Sequence, residues 1–225
     1  MNKREFKDKV YAELSKVTKA LSNPHRLEIL DLLAQGPFSV EDIANYTGMS
    51  IANTSQHLQT LKHAKLVNIC RDGNFIHYSL AGKNVFNAWA GLRELGMVYN
   101  AEVEKVLNDF RKGDSEMATV DAATLARLIE NDDVILLDVR PEDEYNRGHI
   151  HRAISIPVEK LGKELKKLSK NKTVVAYCRG PFCVYADEAV SILRKNGYKA
   201  IRMNEGFPDW ASKGYAVDAG NCWPE

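Results

Sequence analysis

One seven-residue stretch carries the chemistry that is easiest to read: Cys178-Arg179-Gly180-Pro181-Phe182-Cys183-Val184. A short apolar run, Thr173 to Tyr177, precedes it, and an amphipathic run from Asp187 to Asn196 follows, with Ala189, Ile192 and Leu193 on one face. The pattern predicts a strand, a tight loop and a helix. Such a loop turns backbone N–H groups and a helix N-terminus toward whatever occupies its mouth. Cys178, at the first loop position, is therefore expected to be biased toward thiolate, the nucleophilic form, with Arg179 pushing the same way. A lone cysteine at a strand end is usually a small buried hydrophobe. A second cysteine, an arginine and Gly-Pro in the same loop favour the reactive reading.

The elements that must position this loop are set by the rest of the chain. Its 225 residues suit two modest domains better than one large one. The formal net charge is +1, so a nucleic-acid site must come from a local patch and not from a global basic field. No apolar run is long enough to span a bilayer, and residues 1–5 lead straight into an amphipathic pattern without a signal-peptide core; the expectation is a cytoplasmic protein. Four cysteines (Cys70, Cys178, Cys183, Cys222) in a reducing compartment argue against a structural disulfide framework.

The first half reads as helices. Phe6, Val10, Leu14, Val17 and Leu21 recur at helical spacing. Asn23-Pro24 then opens a second helix with Leu27, Leu30 and Leu33 inward, and Gly36-Pro37 stops it. Ser39 to Asp42 forms a capping box for a short helix that Gly48 ends. Ser50 caps the next helix, to about Ala64, with Leu58 and Leu61 buried and Asn53, Gln56, Gln59 and Lys62 on the other face. Two short helices around a Gly turn form a helix-turn-helix, and Asn and Gln on the second suit adenine edges. Residues 66–71 and 75–80 alternate around Asp72-Gly73-Asn74, a hairpin, which completes a winged helix. A small bundle with a merely solvated polar helix is the plainer alternative; the order of the elements disfavours it.

Residues from about 5 to 110 resemble the ArsR family of dimeric winged-helix repressors. The run Gly48 to Lys62 is similar to that family's recognition helix, and Asn23 to Leu30 to the start of its second helix. The resemblance implies that Ser50, Asn53, Ser55, Gln56 and His57 face DNA, with Lys62 beside them, and that Arg71 and Tyr78 belong to the wing. It departs at the metal sites. Metal-sensing members carry a Cys pair where this chain has Phe38 to Asp42, and others bind zinc through a last helix that here, at about 84 to 111, has no His. No metal and no cofactor is expected. Cys70 is expected on the outer face of the wing. The helix at 84 to 111 has more apolar surface than one small domain covers, so a homodimer through it and the first helix is expected.

The second half alternates strands and helices. Asp121 caps a helix carrying Leu125, Leu128 and Ile129; residues 134–139 form a strand buried on both faces; 141–147 is a helical turn; 153–157 is a strand; 161–172 is a lysine-rich helix; 199–203 is the last strand. This half resembles a rhodanese domain over 119 to 217, on Leu137-Asp138-Val139-Arg140, Glu144-Tyr145, Gly148-His149-Ile150, Ala153 to Pro157, and Glu205 to Trp210. The resemblance places Cys178 on the family's catalytic cysteine and implies a persulfide there. Asp138, Arg140, Glu144 and His149 are read as buried ion pairs and turn-holders. Cysteine phosphatases need Cys-x5-Arg, and here the Arg position is Val184, which disfavours phosphate chemistry. Thiosulfate-using members usually have a cation at the loop's sixth position, where this chain has Cys183; the implied role is a resolving thiol.

The expected organisation is a winged-helix DNA-binding and dimerisation domain at 1–112, a linker at 113–118 and a rhodanese-like α/β domain with a parallel sheet at 119–225. The expected function is a DNA-binding transcriptional repressor. Its rhodanese domain senses or transfers reactive sulfur through Cys178, with operator DNA, a second copy and a sulfane-sulfur donor or acceptor as partners. A sulfurtransferase tethered to DNA, or an idle rhodanese serving as an interaction module, are the alternatives.

Overall fold

The structure is a computed structural model that describes residues 1–72, 75–111 and 118–219. The hairpin turn at 73–74, residues 113–117 of the expected linker, and Cys222 lie outside the described residues. Two compact units result; the division falls between Gly91 and Leu92.

The first unit opens with α1 (Lys3–Leu21), started by a capping box between Asn2 and Glu5. Helix α2 (Pro24–Leu33) follows, with Asn23 accepting from the Arg26 amide and Pro24 at the first turn. Strand β1 (Phe38–Ser39) runs into α3 (Val40–Thr47), where Ser39 and Asp42 cap each other reciprocally. Gly48 ends α3 in the left-handed region at φ 67°, a conformation that costs glycine nothing. Helix α4 (Ile51–His63) starts from Ser50. Strands β2 (Val67–Asp72) and β3 (Phe75–Leu80) pair antiparallel, and β1 adds to the outer edge of β3. Helix α5 (Lys83–Tyr99) begins here. Ile29, Leu30, Phe38, Ile43, Leu58 and Leu61 are fully buried in one core, which Phe86 and Trp89 of α5 complete. The Trp89 indole N–H donates to Asp31 at 2.9 Å.

One expectation is corrected in these helices. The single helix expected over 84–111 is two, α5 and α6 (Ala101–Arg111). The cause is Asn100, whose side chain accepts from the Glu102 amide and starts a new helix, the capping habit of a short amide. Tyr78 lies on β3 of the wing hairpin, as expected, and at 4% exposure its ring packs into the core.

The second unit then builds a sheet from β4 (Thr119–Val120), α7 (Ala122–Glu130), β5 (Val134–Asp138), α8 (Glu142–Arg147), β6 (Gly148–Ile150), β7 (Ile154–Ser155), α9 (Val158–Glu164), β8 (Thr173–Tyr177), α10 (Tyr185–Lys195), β9 (Ala200–Met203), α11 (Phe207–Ser212) and β10 (Val217–Ala219). The lysine-rich helix expected over 161–172 is corrected to α9 and one 3-10 turn at Leu165–Lys167. The strand order is β4-β9-β8-β5-β7, all parallel, and β6 pairs with β10 antiparallel beside it. Cores lie on both faces of the sheet, one with Leu161, Val174, Ala189 and Leu193, the other with Leu125, Val175, Tyr177 and Phe207. Burial on both faces is why β5 and β8 read as unbroken apolar runs.

Candidate functional sites

The first site is the outward face of α4. Leu58 and Leu61 anchor the helix, and Thr54 is buried with its hydroxyl donating to the Ser50 carbonyl at 3.0 Å. Ser50 is exposed at the N-cap, its Oγ accepting from the Asn53 amide at 3.3 Å. Asn53, Ser55 and His57 are half-buried, whereas Gln56, Gln59 and Lys62 are exposed. Arg71 is exposed on β2, as is Cys70. The His57 and His25 rings lie 5.5 Å apart. Partial burial, then the charges of Arg26 and His25, hold the His57 imidazole below its ordinary range, so it is neutral at pH 7.

The second site lies at the C-terminal end of the central strand β8. Cys178 and Cys183 are joined by a disulfide, with Cα atoms 6.3 Å apart, inside the span such a bridge reaches. The four intervening residues form a tight turn in which the Cys183 amide donates to the Gly180 carbonyl at 3.1 Å. Cys178 is 2% exposed and packs into the core; Cys183 is half-buried. Phe182 and Val184 are exposed on either side of Cys183.

Charged groups around the loop are paired. Arg179, expected to favour a thiolate at Cys178, instead forks onto Glu144 of α8: Nε lies 3.0 Å from both carboxylate oxygens and Nη2 reaches Oε1 as well. Glu144 is fully buried, so its charge needs that partner. Arg140, also fully buried, donates from Nη2 to Asp138 at 2.6 Å and to the Gly148 carbonyl at 2.8 Å, beneath the Phe207 ring. Burial alone would lower its pKa, but the Asp138 carboxylate holds it above the ordinary value. His149 Nδ1 donates to the Tyr145 carbonyl and its ring stacks on Tyr145 at 3.7 Å. The reading of Asp138, Arg140, Glu144 and His149 as pairs and turn-holders agrees with these contacts.

The loop has three supports that the sequence did not disclose. The Phe207 amide donates to the Cys178 carbonyl at 3.1 Å, and Gly206 lies flat against the Arg179–Gly180 backbone. Arg93 of α5 pairs with Asp209, whose other oxygen accepts from the Gly206 amide at 3.1 Å. Arg111 of α6 donates from Nη2 to the Pro181 carbonyl at 2.7 Å and sits 3.4 Å from Asp187. The glycine and tryptophan of the 205–210 segment were visible as a motif. Neither arginine had a local signal, because each acts on a residue about 70 or more positions away.

A winged helix with a polar recognition face, followed by a parallel sheet that carries a cysteine loop at a strand end, defines a transcriptional regulator with a rhodanese-type domain. The family description "Bacterial regulatory protein, arsR family" matches residues 23–68, and "Rhodanese-like domain" matches 121–213. The chain is 40% identical over 208 residues to the HTH-type transcriptional regulator Rv0324 of Mycobacterium tuberculosis, covering 92% of this chain and 91% of that one. A sulfurtransferase of Allochromatium vinosum is 29% identical over 102 residues, 44% of this chain and 94% of its own. Among solved structures, the homodimeric winged helix-turn-helix domain of Mb0332 from Mycobacterium bovis is 38% identical, covers 44% of this chain and 91% of that one, and has a TM-score of 0.42. The chain belongs to the ArsR family of bacterial transcriptional regulators and carries a rhodanese-like domain in its C-terminal half. Among the described residues no helix is long and apolar enough to cross a membrane.

Proposed function

We propose that this regulator changes its hold on operator DNA when reactive sulfur reaches the Cys178–Cys183 loop. The observation that carries the reading is the bridge itself: the two cysteines of a rhodanese-type loop stand close enough to be joined, at 6.3 Å between Cα atoms, in a chain that also holds a DNA-reading helix. In the dithiol form, the Cys178 thiolate attacks the outer sulfur of a persulfide R–S–SH, giving Cys178–S–SH and releasing R–S⁻. The Cys183 thiolate then attacks the Cys178 sulfur, forming the Cys178–Cys183 disulfide and expelling hydrosulfide. Ser50, Asn53, Ser55, Gln56 and His57 read base edges, and Lys62 and Arg71 neutralise phosphates. Phe6, Val10, Leu14 and Val17 form an exposed apolar stripe along α1, which supports a homodimer whose α4 helices enter successive major grooves.

The test is operator binding by wild type, Cys178→Ser and Cys183→Ser, each with and without polysulfide, with mass spectrometry of the 178–183 peptide. Wild type is expected to release or tighten on DNA with bridging, and Cys178→Ser to be insensitive. A Cys178→Ser protein that responds like wild type sinks the reading. A sulfurtransferase role is the second reading, favoured by the likeness to the Allochromatium sulfurtransferase; multiple turnovers with excess donor and a thiol acceptor would establish it.

A further inference from the structure

The two family matches leave residues 69–120 unassigned, yet α6, inside that gap, reaches into the cysteine loop. Arg111 is its last residue. One end of its guanidinium donates to the Pro181 carbonyl at 2.7 Å, and Nε faces Asp187 of α10 at 3.4 Å. Asp187 is itself fixed by the buried Arg202, at 2.8 Å. Pro181 sits midway between the two cysteines. Elsewhere α6 faces the loop across an open apolar groove of about 520 Å³, lined by Val103, Val106, Leu107 and Phe110 on one side and Phe182 and Val184 on the other. The loop is thus held from α6 by a polar contact beside space into which Phe182 and Val184 can move.

We propose that Arg111 is a positioning residue for the cysteine pair: it favours the bridged loop over the open one, and so ties the redox state of the loop to α6. This deepens the sulfur reading above and rests on it. When the bridge opens, the two sulfurs move from bonded to van der Waals separation and the four residues between them relax. The Pro181 carbonyl moves with them. Arg111 cannot follow freely, because Asp187 and Arg202 hold its other end. A hydrogen bond made better in the bridged state lowers that state's free energy, and by reciprocity the bridged loop restrains Arg111 and the helix that carries it. Asn100 separates that helix from α5, whose first half contributes Phe86 and Trp89 to the core of the first unit.

The experiment is a thiol–disulfide equilibrium on the full chain. Wild type, Arg111→Ala, Arg111→Lys and the exposed control Arg127→Ala are equilibrated in mixtures of reduced and oxidised dithiothreitol. Each bridge opened consumes one dithiothreitol dithiol and yields one cyclic disulfide. The bridged fraction is read by alkylation and mass spectrometry. Arg111→Ala should shift the equilibrium about tenfold toward the dithiol, about 30 mV toward a less negative potential. Arg111→Lys should shift it less, because lysine keeps the charge but loses the planar fork whose Nη2 and Nε meet Pro181 and Asp187 separately. Arg127→Ala should match wild type. Melting both redox forms separates positioning from general support: Arg111→Ala should lower the melting temperature of the bridged form more than that of the dithiol. A shift under about twofold, or equal lowering of both forms, overturns the proposal. If wild type fails to bridge with polysulfide while Arg111→Ala shifts the dithiothreitol equilibrium, the sulfur reading falls and the role of Arg111 stands.

Discussion

Gly206 is where a single added carbon should do most damage. Its φ of −114° and ψ of −178° are open to any residue, so the backbone imposes no demand for glycine. The demand is steric. A Cβ at 206 would meet the Arg179 carbonyl and the Gly180 amide well under 3.0 Å, a distance real Cβ atoms do not show, and both obstacles are backbone. Gly206→Ala must therefore push the 206–209 segment off the cysteine loop by about 1 Å, at the upper end of the roughly 1–3 kcal/mol range for overpacking. The same movement strains the Phe207-to-Cys178 and Gly206-to-Asp209 hydrogen bonds, adding about 1 kcal/mol each if they are lost. A loss of about 3–5 kcal/mol should lower the melting temperature of this unit by about 10–20 °C. Calorimetry measures it, with alkylation of the reduced loop to report Cys178 becoming more accessible. Gly162→Ala is the internal control: a Cβ there meets nothing within 4 Å, and alanine in α9 should be neutral or stabilising by up to about 1 kcal/mol. A Gly206→Ala melting temperature within about 2 °C of wild type would refute the steric argument.

Two further outcomes test the DNA face. Asn53→Ala and Gln56→Ala should each weaken specific operator binding by about 1–3 kcal/mol while leaving binding to random duplex nearly unchanged; equal losses on both, measured by fluorescence anisotropy, would mean that neither residue reads bases. His57 should add a pH dependence. Its imidazole is held below the ordinary value in the free protein and so is neutral at pH 7, whereas nearby phosphates favour the charged form. Binding therefore takes up a proton, and affinity should rise as pH falls from about 8 to about 6; His57→Gln should flatten that slope, and an unchanged slope would remove His57 from the interface.

What the sequence disclosed was local. Asn23, Ser39, Ser50 and Asp121 each announce a helix start, because capping is decided within three residues. The unbroken apolar runs at 134–138 and 173–177 identified the two central strands for the same reason: burial on both faces writes itself into consecutive residues. The break at Asn100 was missed because the apolar spacing on either side of it continues in helical phase. Periodicity reports which face is buried, not whether the backbone is continuous. Arg179 was misjudged differently. Its neighbour in sequence is Cys178, but its partner is Glu144, and the nearest charge along the chain is a poor guide to the nearest charge in space.

The arginines at 93 and 111 show where reading by resemblance stops. Neither lies in a segment that the two family descriptions match, and each would pass for solvated charge on a helix. The Arg93 side chain is 8% exposed and completes a chain from Asp209 through the Gly206 amide to the cysteine loop. Arg111 holds the loop directly, at the carbonyl midway between the thiols. Both arginines belong to the same compact unit as the loop, on the stretch of chain that leads into the sheet. On the role proposed above for Arg111, whatever restrains α6 acts back on how readily Cys178 and Cys183 join.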